Sequence, residues 1–142
     1  MKLVQHLLDK KGRNIISIQE DASVRDAIVL MADKGIGSLV VTEEGGLRGI
    51  VTERDYARKV IIKGRASDTT PVADIMTTDV TTVSSAMTVN KCMEMMTAIK
   101  CRHLPVVDDG ELVGMISIGD LVEAIIADQQ EEIEQLESYI AG

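Results

Sequence analysis

Apolar and polar positions along this 142-residue chain follow one plan twice. Residues 15–18 make a short extended run. Ser23 then offers a helix cap with Asp26 three residues on, and Val24, Ala27, Ile28 and Met31 recur at helical spacing. Gly35 is a natural stop for that helix. Residues 37–42 and 47–52 are β-rich runs around Glu43-Glu44-Gly45-Gly46, a hairpin signal, and a second helix starts near Glu53 and runs toward Lys63-Gly64. In the second copy Thr88 caps a helix carrying Val89, Cys92, Met93 and Met96, and residues 104–107 and 112–117 flank the turn Asp108-Asp109-Gly110.

The two copies are related by a constant offset of 65 residues (120 minus 55) without one gap. Ile18 falls on Val83, Val24 on Val89, Met31 on Met96, Leu39 on Leu104, Val41 on Val106, Gly45 on Gly110, Leu47 on Leu112 and Ile61 on Ile126. Such a repeat defines the architectural unit. The pattern predicts an α+β fold with strand, helix, strand, strand, helix in each half, divided as residues 1–66 and 67–142. One half alone leaves an apolar sheet face open; two copies can bury those faces against each other, which predicts a pseudo-two-fold axis.

Residues 64–71 are polar and read as the connecting loop, and residues 71–76 as a short helix with Pro71 near its start. By the same offset Met76 falls on Lys11, so residues 2–10 are predicted to be the matching helix before the first repeat. The last predicted helix is long. Ile126, Ile133, Leu136 and Ile140 are spaced 7, 3 and 4 along it, an a/d-type seam flanked by Glu131, Glu132, Glu134 and Glu137. That seam either packs on its own domain or meets a second copy.

Composition narrows the function classes. With two Tyr, no Phe and no Trp, the chain lacks the aromatic platforms that stack single-stranded bases. A net charge of −8 opposes binding to a phosphate backbone, so nucleic acid is not an expected partner. The charge is uneven: Arg54, Arg58, Lys59, Lys63 and Arg65 form a basic segment, whereas no Lys or Arg follows His103. That segment is either a solvated surface or lies near a bound phosphate. Cys92 and Cys101 match neither a CxxC nor a zinc pattern and read as reduced packing cysteines, with redox sensing by Cys101 the alternative. No segment approaches the roughly 18 apolar residues of a membrane span, and the N-terminus has no signal-peptide features. A cytoplasmic protein with no membrane association is expected.

Chemistry concentrates in two heptapeptides at the common offset, Gly-Ile-Val-Thr-Glu-Arg-Asp at 49–55 and Gly-Met-Ile-Ser-Ile-Gly-Asp at 114–120. In each, a hydroxyl (Thr52, Ser117) ends a strand and a carboxylate (Asp55, Asp120) falls in the first turn of the next helix. Helix capping accounts for one such Asp. Two in equivalent places also suit a vicinal diol such as ribose, because one carboxylate can accept from two hydroxyls. Backbone N–H groups at the same helix starts suit phosphate. No nucleophile elbow, P-loop or paired metal ligands occur, so no enzyme activity and no metal site are expected.

These heptapeptides, with Leu104-Pro105-Val106-Val107-Asp108 and Asp109-Gly110-Glu111-Leu112-Val113-Gly114, closely resemble a tandem pair of cystathionine-β-synthase (CBS) domains, a Bateman module, over nearly the whole chain. The resemblance implies two βαββα units, adenosine-containing ligands in two clefts, and a disc-like homodimer. In the family the Thr/Ser-x-x-Asp of one repeat holds ribose while the other repeat supplies adenine and phosphate contacts. Carried over by position, one cleft combines Thr52, Arg54 and Asp55 with Thr77, Val80, Thr82, Arg102 and His103. The other combines Ser117, Gly119 and Asp120 with Ile15, Ser17, Gly37 and Ser38. Arg102 and His103 are charged or chargeable where their counterparts Gly37 and Ser38 are not, and Arg54 falls on Gly119. The resemblance therefore implies a more highly charged ligand for the Thr52/Asp55 cleft. His103 itself is either a surface or structural histidine or a phosphate contact.

A narrower resemblance, carried by residues 56–61, 63–65 and 132–142, is to stand-alone bacterial CBS-pair proteins and their plant organelle relatives. It implies AMP or NAD(H) as ligand; ADP or ATP, and an unidentified regulated protein as a further partner, are expected from the broader family resemblance. The alternative is a ligand-independent dimeric interaction protein acting through its acidic C-terminal helix.

Overall fold

A computed structural model describes residues 2–141; the terminal Met1 and Gly142, which belong to the expected halves, lie outside the described residues. The elements run α1 (Val4–Lys11), β1 (Ser17–Gln19), α2 (Val24–Lys34), β2 (Ser38–Glu43), β3 (Gly46–Thr52), α3 (Glu53–Tyr56), α4 (Val89–Ile99), β4 (His103–Asp108), β5 (Glu111–Ser117) and α5 (Ile118–Ala141). The chain is mixed α+β with a long C-terminal helix, as its periodicities predict.

Two compact units form, one from residues 15–81 and the other from residues 1–14 with 82–142. This differs from sequential halves at 66/67, and the reason is an exchange of backbone partners. The N-cap region of α2 takes up the segment that precedes the second repeat: Val24 N–H donates to Thr70 C=O (2.8 Å), Val72 N–H to Ala22 C=O (2.8 Å) and Ala73 N–H to Glu20 C=O (2.9 Å). The N-cap region of α4 takes up the segment that precedes the first repeat, through Val89 N–H to Lys2 C=O (3.0 Å), Val4 N–H to Met87 C=O (2.9 Å) and Gln5 N–H to Ser85 C=O (2.9 Å). The three bonds correspond one to one, so each repeat is completed by the lead-in segment of the other. Helix α1 accordingly buries Val4, Leu7 and Leu8 in the core of the second repeat. Gly114 on β5 is what permits this approach: a Cβ there would stand 2.6 Å from Leu8 Cδ2. In the other unit the lead-in is only a 3₁₀ turn, Val72–Asp74, followed by a bridge between Thr77 and Ile50, and a Cβ on Gly49 would lie 2.6 Å from Thr77 O.

Each hairpin closes through a two-residue turn with both residues at positive φ: Glu44 (53°) and Gly45 (78°) in one, Asp109 (50°) and Gly110 (79°) in the other. This is the turn whose twist matches the flanking strands. The irregularity in pairing also repeats, between Val41/Thr42 and Val106/Val107. The first unit has a three-stranded sheet in order β1-β2-β3, with β1 parallel to β2. The second has β4 and β5 alone, and its expected first strand is one bridge, Val83 to Val106. Proline explains the loss. Val83 N–H donates to Pro105 C=O (3.0 Å), so the Pro105 nitrogen faces the same side and carries no hydrogen to extend the ladder toward Thr81. Its counterpart Val40 does pair, opposite Ser17.

The helix after β3 also differs from a plain α-helix. It begins as α3 and continues as a π-helical turn over Ala57–Ile61, with Ile62 N–H reaching Ala57 C=O five residues back (3.1 Å). Helix α5 buries Leu121 and Ala124 near its start, and residues 129–141 are all exposed. The predicted seam of Ile126, Ile133, Leu136 and Ile140 therefore does not pack within its own unit among the described residues. Apart from Cys92, the buried hydrophobic side chains are aliphatic or Met, including Met31 and Met96 at equivalent positions.

Helix α2 stops at Gly35 (φ 67°), whereas α4 stops at Lys100 with φ 57°, a left-handed conformation that costs a residue with a Cβ about 1–2 kcal/mol. Lys100→Gly relieves that strain, part of which the extra freedom of glycine in the unfolded chain offsets. Urea unfolding is expected to show a gain of about 0.5–1 kcal/mol; an unchanged or lower midpoint contradicts the account.

Candidate functional site

The two hydroxyl–carboxylate pairs occupy the same local structure. At the β3–α3 junction the Thr52 hydroxyl accepts from the Asp55 N–H (3.1 Å), and Asp55 Oδ2 accepts from the Thr52 N–H (3.0 Å) and hydroxyl (3.1 Å). At the β5–α5 junction Ser117 Oγ accepts from the Asp120 N–H (3.2 Å), and Asp120 Oδ2 accepts from the Ser117 N–H (2.8 Å). Both are reciprocal capping boxes, and each fixes its carboxylate at the mouth of a strand–helix turn. The junction is braced identically by a backbone bond to the start of the neighbouring strand region, Glu53 N–H to Gly37 C=O (3.1 Å) and Ile118 N–H to Arg102 C=O (2.8 Å).

Each carboxylate also meets a lysine, and here the copies part. Lys59, one helical turn after Asp55, places Nζ 3.2 Å from Asp55 Oδ1 and 2.8 Å from Ile75 O. The position one turn after Asp120 is Ala124, buried in the core, which leaves no room for an ammonium. Asp120 is instead met by Lys11 from the end of α1, with Nζ 2.6 Å from Asp120 Oδ2 and 2.9 Å from Met115 O. Lys11 was not among the residues that the repeat singles out, because at constant offset it falls on Met76.

The remaining expected residues are distributed over both units. Ser17 opens β1 and is exposed, Ile15 lies just before it, and Ser38 opens β2, buried and paired opposite Thr52. Gly37 precedes β2, and Arg54 is an exposed member of α3. Thr77 bridges Ile50, and Val80 follows in an irregular segment. All of these share the 15–81 unit with Thr52 and Asp55. Thr82, exposed Arg102, His103 and exposed Gly119 belong to the other unit with Ser117 and Asp120. Within that unit His103 opens β4 directly opposite Ser117. No hydrogen bond joins them among the described residues.

Electrostatics in this unit follow from that crowding. Burial lowers the affinity of the His103 imidazole for a proton; the Lys11 and Arg102 charges add to this, and Asp120 opposes it. Burial by itself would raise the Asp120 carboxyl. The Lys11 ammonium and the Ser117 amide and hydroxyl outweigh it, and the group stays below the ordinary carboxylate value. Cys92 is fully buried with its thiol pushed up to about 11 by burial, and Cys101 is raised for the same reason. Both are free thiols, and neither lies in the electropositive, exposed setting of a reactive cysteine. Among the described residues no cluster of His, Cys, Asp and Glu could hold a metal ion, and no helix is long and apolar enough to cross a membrane.

The CBS domain pattern matches residues 11–62 and again residues 72–127. The chain belongs to the CBS domain family. A CBS-domain protein from Burkholderia ambifaria MC40-6 superimposes with a TM-score of 0.87 at 49% identity, covering 90% of this chain and 96% of that one. The CBS-domain protein ATU1752 from Agrobacterium tumefaciens gives 0.83 at 40% identity, covering 87% and 98%. Among curated relatives, the mitochondrial CBS domain-containing protein CBSX3 of Arabidopsis thaliana is 43% identical over 127 residues, which are 86% of this chain. This chain spans only 62% of that relative's length. CBS pairs are regulatory modules that generally bind adenosine ligands. The matched ranges overlap both capping boxes, so the boxes are part of the CBS fold in this chain.

The depressed His103 value has a consequence for stability. The unfolded chain binds more protons here than the folded one, so the contribution is present above the ordinary value of 6.5 and is lost as pH falls through the lower folded value. Asp120 acts with the same sign but only below its ordinary 3.8. Thermal melts between about pH 8 and about pH 5 are expected to fall more steeply for the wild type than for His103→Gln; parallel curves exclude the assignment.

Proposed function

We propose that this CBS pair is a cytoplasmic regulatory module that binds an adenosine nucleotide (AMP, ADP or ATP, with NAD(H) as the dinucleotide form) at Thr52/Asp55 and Ser117/Asp120. Occupancy then passes to a second copy or to a regulated protein. The observation that carries this reading is the pair of reciprocal boxes. Each fixes a carboxylate at a strand–helix junction, where a diol can be accepted by oxygen and a phosphate by nearby N–H groups and lysine. The arrangement favours binding over turnover. Ser117 Oγ accepts from the Asp120 amide and Thr52 Oγ1 from the Asp55 amide, so each hydroxyl caps a helix. A regulatory ligand must also bind two shapes of the protein with different affinity, since binding alone shifts nothing.

Calorimetry with AMP, ATP and NADH tests the reading. Saturable binding is expected for the wild type, with a loss of roughly tenfold or more in Asp55→Ala and Asp120→Ala, each at its own site, and no binding in the double variant. A wild type that binds none of these ligands excludes the module as an adenosine sensor.

One observation favours a second reading, an interaction protein acting through its acidic helix. Ile133, Leu136, Tyr139 and Ile140 are all exposed on α5 beside four glutamates, a costly pattern for an isolated helix. Light scattering of the wild type and Ile133→Glu/Leu136→Glu separates the two roles. Loss of a dimer with nucleotide binding intact assigns the stripe to assembly, and an unchanged mass removes that assignment.

A further inference from the structure

The Ser117/Asp120 pair differs from its partner in where its cation comes from, and that difference bears on ligand choice. Lys11 is the last residue of α1 and reaches across to β5 and α5, where its ammonium spends two of its three donors on Met115 O and Asp120 Oδ2. Asp120 Oδ2 is thereby shared between Lys11 and the Ser117 N–H, and no bond reaches Oδ1 among the described residues. A diol that engages this carboxylate through both oxygens competes directly with Lys11. Once displaced, the ammonium loses its counter-ion while its stem stays held by the docked helix. An uncharged nucleoside leaves that exposed ammonium paired with solvent alone and gains nothing from it. A ligand that carries an anionic phosphate beside its diol restores the pair. Arg102 adds a second positive charge bearing on His103, which opens β4 opposite Ser117.

We propose that Lys11 is an exchangeable counter-ion: it holds Asp120 in the free protein and transfers to the ligand's phosphate when a nucleotide diol takes its place. Lys11 is then the residue that makes this site select nucleotides over nucleosides. The inference rests on the nucleotide-binding reading above and gives the Ser117/Asp120 site its own phosphate preference, which the family resemblance implies for the other pair. It also ties α1 to ligand occupancy, since the same ammonium that anchors the helix end is the group that moves.

The test uses the full chain carrying Asp55→Ala, which removes the other carboxylate, and compares AMP with adenosine by calorimetry. Lys11→Met is expected to weaken AMP by tenfold or more while adenosine binds equally well or more tightly, because its competitor is gone. Lys11→Arg is expected to keep the AMP preference. Equal losses for both ligands overturn the proposal and leave Lys11 as a fixed strut. If the parent binds neither ligand although the unsubstituted protein binds AMP, the proposal also falls. If the unsubstituted protein binds no adenosine ligand, the nucleotide reading itself fails, which is a separate result. Should Lys11→Met not fold, the ¹⁵N resonance of the Lys11 ammonium in unsubstituted protein decides: AMP is expected to shift it, and no response at saturating AMP overturns the exchange.

Discussion

The structure depends on a set of six backbone hydrogen bonds, three in each unit, that attach a lead-in segment to the N-cap region of a helix. Val24, Val72 and Ala73 make them in one unit, and Val89, Val4 and Gln5 make their counterparts in the other. A backbone N–H or C=O in a buried turn must find a partner, and here the partners are supplied by the segment that precedes the opposite repeat. The consequence is a discontinuous unit, residues 1–14 with 82–142, whose core includes Val4, Leu7 and Leu8. Removing α1 would therefore uncover the second repeat, although the first repeat is its neighbour in sequence.

That exchange sets the chemistry of the carboxylate pairs. Where the lead-in is a 3₁₀ turn, its Ile75 carbonyl helps hold Lys59 beside Asp55. Where it is a full helix, its last residue delivers Lys11 to Asp120. The two glycines of the heptapeptides serve the same end. Gly49 admits the Thr77 backbone and Gly114 admits the Leu8 side chain, at distances that a Cβ would occupy. In both copies the heptapeptide glycine is a packing device within the strand that leads to the carboxylate.

Much of this was legible in the sequence. A gapless offset of 65 residues predicts equivalent caps at Ser23 and Thr88, equivalent turns at Gly45 and Gly110, and equivalent carboxylates, because each is set by local chemistry that travels with its residues. The lead-in segments were legible as helical but not in their destination. Two homologous sheets offer nearly the same apolar face, each with a glycine at the point of close approach, Gly49 and Gly114, so the pattern of residues 2–10 suits either one. Pro105 was visible as a family-like feature, yet its cost to the first strand of the second repeat emerges only when Val83 is seen to donate to it. The exposure of the α5 seam was likewise open, since an a/d spacing is the same whether a helix packs inward or outward.

Why the two pairs cannot share one source of cation follows from the core. Asp55 and Asp120 sit at the same point of the same capping box, so a lysine one turn later would serve both. After Asp55 that position is Lys59, on an exposed face next to the π-helical turn. After Asp120 it is Ala124, on the core-facing side of α5 with Leu121, where an ammonium would have to be desolvated. The docking of α1 on the second repeat both closes that core and brings Lys11 to the carboxylate from outside it. One pair thus has a counter-ion that belongs to its own helix, and the other has one that belongs to a separate element. In the second pair the counter-ion ties the carboxylate to the end of α1, whereas in the first Lys59 ties it to the Ile75 carbonyl at the end of a 3₁₀ turn.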